Sequence, residues 1–150
     1  MAILPSFEYV ENIFDAPGIS TGGDLVALAA SKARVVFTSN LDEKQIITHQ
    51  GNSHRAPVTV FCSVDASGEV VDKNGYPPRL LANDDDLSVS NIQWTRTVYA
   101  PSANGTLELY SITFLAAVDG DSVGPTTVEL VPASEPDPDE DPIIIDGGEL

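Results

Sequence analysis

His49 and His54 flank a Gly/Asn/Ser turn in the stretch Thr48–His49–Gln50–Gly51–Asn52–Ser53–His54–Arg55. A hairpin there would bring two imidazoles together. A zinc site needs further ligands, and Cys62 is the one soft candidate in the chain. Asp84–Asp85–Asp86 offers oxygens of the kind Ca²⁺ takes. Consecutive acids point in different directions, however, and the run lacks the alternating acids and distant Glu of an EF-hand loop, so it reads as a solvated turn. A thiol nucleophile at Cys62 would need a base, and neither histidine stands in a recognisable motif. Cys62 lies in the strand-like run Val58–Val64 and reads as a small buried hydrophobe. The chain has no G-x-S-x-G, no Gly-rich phosphate loop after a strand and no H-E-x-x-H. The expectation is no catalytic residue, no metal and no cofactor. Trp94 is expected to anchor the core rather than to stack on a sugar.

The elements that would carry these residues are short strands separated by turns. Ala33–Thr38 is β-branched. Val58–Val64 alternates Val58, Val60, Cys62 and Val64 against Thr59, Phe61 and Ser63, the mark of a half-buried strand. Asp65–Ala66–Ser67–Gly68 then turns the chain into Glu69–Val70–Val71. Lys73–Asn74–Gly75–Tyr76–Pro77–Pro78 forbids a helix or a central strand. Arg79–Ala82 follows as a short strand, and Asn83–Asp86 as a polar turn. Asn91–Ala100 is a long strand with Ile92, Trp94 and Val98 on one side. Arg96 interrupts that side, which places it near an edge or rim. Pro101–Gly105 turns back into Thr106–Leu115, whose apolar phase shifts between Leu107/Leu109 and Tyr110/Ile112/Phe114, suggesting a β-bulge or a change of sheet. Thr126–Val131 is a last strand. Thr21–Lys32 reads either as a helix or as a strand plus turn. The expected fold is all-β, a β-sandwich (Ig-like or a related antiparallel sandwich) with an extended acidic Pro-rich C-terminal tail. Three parts follow: an arm or docking segment at 1–32, the sandwich at 33–133, and a linker with an Ile-rich terminal peptide at 134–150.

The 150 residues are 42% hydrophobic, enough for one domain with a core. The formal net charge of −16 argues against nucleic acid, whose phosphates would be repelled. Seven of the 23 acids fall in the tail, and the body stays acidic without them. No signal peptide and no transmembrane run are expected: the apolar stretches are short and the N-terminus lacks a basic flank. With a single cysteine no intrachain disulfide forms. Prolines 136, 138 and 142 and like charges extend the linker. Ile143, Ile144 and Ile145 then offer a strand that a neighbouring subunit's sheet edge could accept.

The order of motifs resembles a known family. Val60–Phe61–Cys62–Ser63–Val64–Asp65–Ala66–Ser67–Gly68–Glu69–Val70, then Leu80–Leu81–Ala82–Asn83–Asp84–Asp85–Asp86–Leu87, then Ile92–Gln93–Trp94–Thr95–Arg96–Thr97–Val98 are similar to the N-terminal domain of many actinobacteriophage minor tail proteins. Val35–Val36–Phe37–Thr38 matches an earlier strand of that family, and Gly124–Pro132 its closing strand. The family usually has Thr where Asn83 stands. The resemblance spans residues 33 to 132. It implies a virion component made in the host cytoplasm, docked among other tail proteins in a tail tip or fibre as a trimer or ring, with no catalytic residues. The charge and the short apolar stretches add the expectation of no nucleic-acid partner and no membrane partner. Two other roles compete. One is a capsid decoration or head-fibre protein. The other is a module binding host-surface glycan through Trp94, Tyr99 or Tyr110.

Overall fold

The computed structural model describes residues 3–21, 24–29, 32–102 and 105–132. The described residues are all-β, without a helix. In chain order the strands are β1 (Ser6–Tyr9), β2 (Phe14–Thr21), β3 (Asp24–Ala29), β4 (Arg34–Ser39), β5 (Ile46–His49), β6 (Asn52–Arg55), β7 (Thr59–Val64), β8 (Val70–Val71), β9 (Arg79–Leu81), β10 (Gln93–Ser102), β11 (Gly105–Leu115) and β12 (Ser122–Val123). The larger sheet runs β11-β10-β4-β7-β8 and the smaller β12-β1-β9, while β2-β3 and β5-β6 are separate two-stranded sheets. Within the larger sheet every pairing is antiparallel. β1 pairs antiparallel with β9 and parallel with β12.

The sheets are held face to face by aromatic side chains. Tyr9 on β1 meets Phe37 of β4 edge-on at 5.0 Å between ring centroids and stacks on Phe114 of β11 at 5.5 Å. Phe7 meets Phe114 edge-on at 6.3 Å. Such pairs add roughly 0.5–1.5 kcal/mol each beyond the area they remove from water. Val35, Ile47, Leu80, Ile92 and Val98 complete the dry interior. Two sheets facing across one apolar core are consistent with a β-sandwich.

Both edges of the larger sheet are partly covered. Beside β8, Glu11 and Ile13 bond to Val70 and Gly68, and Asn12 bridges Glu69. The chain thus leaves the smaller sheet at Tyr9 and joins the larger one two residues later. Beside β11, Leu115 N–H donates to Glu129 and Val131 N–H to Thr113. Covered edges cannot recruit stray strands.

Several expectations change on contact with the structure. The segment 1–32 is not only an arm: Phe7 and Tyr9 are fully buried because β1 sits in the middle of a sheet, and Ile13 is nearly so beside β8. Of the two readings of Thr21–Lys32, the strand is the one seen: it contains β3 and no helix among its described residues. Thr126–Val131 does not form a continuous strand. Thr127 and Val128 N–H groups both turn back to the Gly124 carbonyl and the Thr127 hydroxyl accepts from Gly124 N–H, so only Leu130 is left to bridge Phe114. Arg96 is neither on an edge nor at a rim. Its strand lies inside the sheet and the residue is 3% exposed.

The phase shift in the return strand has a simple cause. Val98 pairs with Tyr110 but Tyr99 pairs with Glu108, so Leu109 is the extra residue of a bulge. The two turns flanking β8 repeat one device. Asp65 Oδ1 accepts from the N–H groups of Ser67 and Glu69, and Asp72 Oδ1 from those of Asn74 and Tyr76. Three donated hydrogen bonds, the Ser67 hydroxyl included, hold the Asp65 carboxyl below its usual range.

Candidate functional site

Three places in the fold concentrate polar or unpaired groups. The first is buried. Arg96 Nε lies 3.1 Å from Glu11 Oε1, and Tyr9 Oη donates to the same oxygen at 3.0 Å. The Tyr110 ring covers the guanidinium with its centroid 5.0 Å from Cζ. Burial pushes the Glu11 carboxyl above its ordinary range, against the pull of Arg96 and the Tyr9 hydrogen bond. Burial and the neighbouring Glu11 charge likewise raise the Tyr9 phenol. Sequence reading missed this trio because Tyr9 and Glu11 lie far from Arg96 in the chain. A lone arginine on an apolar strand face was the one available sign.

The second place joins residues that the sequence offered separately. Gln50 and Gly51 both have positive φ, 53° and 82°, the two-residue turn that best fits the twist of a hairpin. That turn pairs Ile47 with His54 and His49 with Asn52, so the two histidines are diagonal neighbours on one hairpin face. They do not share a site. His49 instead meets the aspartate loop: His49 Nε2 is 3.7 Å from Asp84 Oδ2, and the ligand-type atoms of His49, Asp84 and Asp86 lie within 4.8 Å of one another. The 87–88 segment holds β5 there. Ser88 N–H donates to the Thr48 carbonyl, Thr48 N–H donates to the Ser88 hydroxyl, and His49 bridges Leu87. Cys62 is elsewhere. It is buried in β7, and burial, helped by Asp72, pushes its thiol up to about 12, so it stays protonated and is no nucleophile at neutral pH.

Asn83 fixes the other end of that loop. Its amide donates to the Ala116 carbonyl at 2.9 Å, and its Oδ1 accepts from Ile92 N–H at 2.9 Å. The amide's NH₂ and carbonyl oxygen are separate atoms, so the side chain donates to one segment and accepts from another at the same time. Beside the loop an open depression of about 550 Å³ is lined by Asn83, Asp84, Asp85, Ser90, Asn91 and Asp119, with Val118 at its wall.

The third place is the set of projecting ribbons. β2 and β3 pair only with one another. Among the described residues no third strand joins them. The β10–β11 ribbon also outruns its sheet: β4 pairs with β10 as far as Tyr99, while β10 and β11 stay paired to Ser102 and Gly105.

Trp94 is fully buried and its indole N–H donates to the Leu81 carbonyl at 3.0 Å. It offers no face to a sugar. Tyr110 is 45% exposed, but its ring is engaged with Arg96. Ile143, Ile144 and Ile145 lie outside the described residues, as does the whole linker. Among the described residues no helix is long and apolar enough to cross a membrane. Comparison with protein-family models, with curated proteins and with solved structures finds no match for this chain.

Proposed function

We propose that the chain is a non-catalytic structural component of a phage virion, a minor tail protein that assembles in the tail tip or fibre through strand pairing. The fold we infer for it is an Ig-like or related antiparallel sandwich with an extended acidic tail. The observation that supports this reading is the β2–β3 ribbon. A two-stranded hairpin is at best marginally stable in water by itself, and among the described residues no other strand pairs with either outer edge of this one. Its second strand reads Asp-Leu-Val-Ala-Leu-Ala, an apolar sequence for a ribbon that no third strand joins among the described residues. Such a ribbon gains most when a neighbouring subunit supplies the missing strand, and the Ile143–Ile145 peptide has the β-branched composition to do so. The order of motifs from residue 33 to 132 adds the tail-protein resemblance.

The test is the copy number and location of the chain in purified particles, by electron microscopy with mass-spectrometric identification. A few copies at the tail tip support the proposal. Hundreds of copies over the shell favour a capsid decoration protein. Absence from particles removes both virion roles and favours a glycan-binding module.

A further inference from the structure

His49 is 7% exposed, and its Nε2 has no hydrogen-bond partner. A buried polar atom left unmatched is costly, so its surroundings need an explanation. The nearest acceptor is Asp84 Oδ2 at 3.7 Å. That is too long for a hydrogen bond. It is close to the separation of two ligands on one ion: bonds of about 2.1 Å around a tetrahedral zinc put neighbouring ligand atoms about 3.4 Å apart.

The loop is arranged to leave that oxygen facing the imidazole. Asp84 Oδ1 is occupied by Asp86 N–H at 2.9 Å, and Leu87 N–H closes the turn on the Asp84 carbonyl at 3.1 Å. Asp86 adds a second carboxylate within 4.8 Å of the other two groups. Its side chain is exposed, so the remaining coordination positions face water. Asp85 and Asp119 line the adjoining depression and raise the local cation concentration.

We propose that His49 Nε2, Asp84 Oδ2 and an Asp86 carboxylate oxygen bind one divalent transition-metal ion of the zinc class. One imidazole with two carboxylates suits such an ion better than Ca²⁺ or Mg²⁺, which take oxygen sets. The ion satisfies the orphaned nitrogen and ties the β5–β6 hairpin to the Asp84–Leu87 turn. This site stands independently of the virion role.

The test uses the full chain, stripped of metal by chelator and titrated with zinc by calorimetry, with thermal melts in parallel. The expected result is one saturable site per chain and a higher melting temperature with zinc. Asp86→Asn should weaken binding by about tenfold or more and leave the metal-free melting temperature unchanged, since its exposed carboxylate is outside the core. His49→Gln should abolish the site. The acidic residues of 134–150 also attract divalent ions, and the variants separate the two. Binding that survives Asp86→Asn undiminished belongs to the tail and overturns the proposal. So does the lack of a saturable site, and so does calcium binding as tight as zinc binding.

Discussion

At the scale of single residues, Arg96 is the position on which most depends. It stands in the apolar row of β10 between Trp94 and Val98, with Glu11 Oε1 3.1 Å from its Nε, the Tyr110 ring over its guanidinium, and its Nη1 buried without a hydrogen-bond partner. Breaking a buried ion pair from one side leaves an uncompensated charge and costs about 3–5 kcal/mol. Arg96→Met should lose about that much in urea unfolding, and Arg96→Met with Glu11→Leu should recover most of it. The pair also has a pH signature. The Glu11 carboxyl is raised in the folded state. Its contribution is therefore greatest in acid and declines as pH rises from the ordinary carboxylate range through the raised value. Arg96→Met removes one of the two influences holding that value down, so the decline should extend to higher pH than in the parent. Denaturation curves from acid to neutral pH check the direction. The sequence showed an interruption in an apolar face but not its cause. An arginine at an edge and an arginine matched in the core leave the same mark on a strand's alternation. The same limit applies to His49 and Asp84, each visible as a ligand type, whose meeting depends on tertiary packing alone.

At the scale of elements, local periodicity was a good guide to β4, β7, β10 and β11, but it did not show the eight-residue β2. β7 buries Cys62 and Val64 and turns Phe61 outward, as alternation requires. The bulge at Leu109 falls where the apolar phase changes. Among the short strands, β8 and β9 were marked by the turns beside them, while β1 and β12 were not. β1 and β12 are too brief to show a period, and their places come from partners distant in the chain. Their junction is also tight. A Cβ at Gly124 would come within 2.6 Å of the Val10 carbonyl oxygen, a backbone atom that cannot swing aside. Val10 N–H is itself bonded to the Val123 carbonyl at 2.8 Å, so the two segments cannot part without losing a ladder bond. Gly124→Ala should therefore cost about 1–3 kcal/mol, the usual range for overpacking. Thermal unfolding of the variant beside the parent measures it.

At the scale of the whole molecule, the net charge of −16 sets how copies approach one another. Like-charged chains repel over about 10 Å at 0.1 M salt, and over longer distances in more dilute salt. Association through paired strand edges is opposed by this repulsion and owes little to ion pairs. If copies join through strand edges as proposed, raising ionic strength should favour their association in analytical ultracentrifugation. Dissociation on adding salt would indicate an interface built from charge pairs and would count against the ribbons as the joining surface.

The placement of β1 has a kinetic consequence. Ser6 N–H bonds Asp119 across 113 positions of sequence, and Glu8 pairs with both Arg79 and Ser122. A strand that leaves the ribosome early must therefore wait, unpaired, for partners made much later. Native contacts of such long range slow folding, because the loop they close must be ordered before they repay it. During that wait Phe7 and Tyr9, the side chains that join the two layers, are exposed to other nascent chains, so β1 is the segment a folding helper would most need to shield.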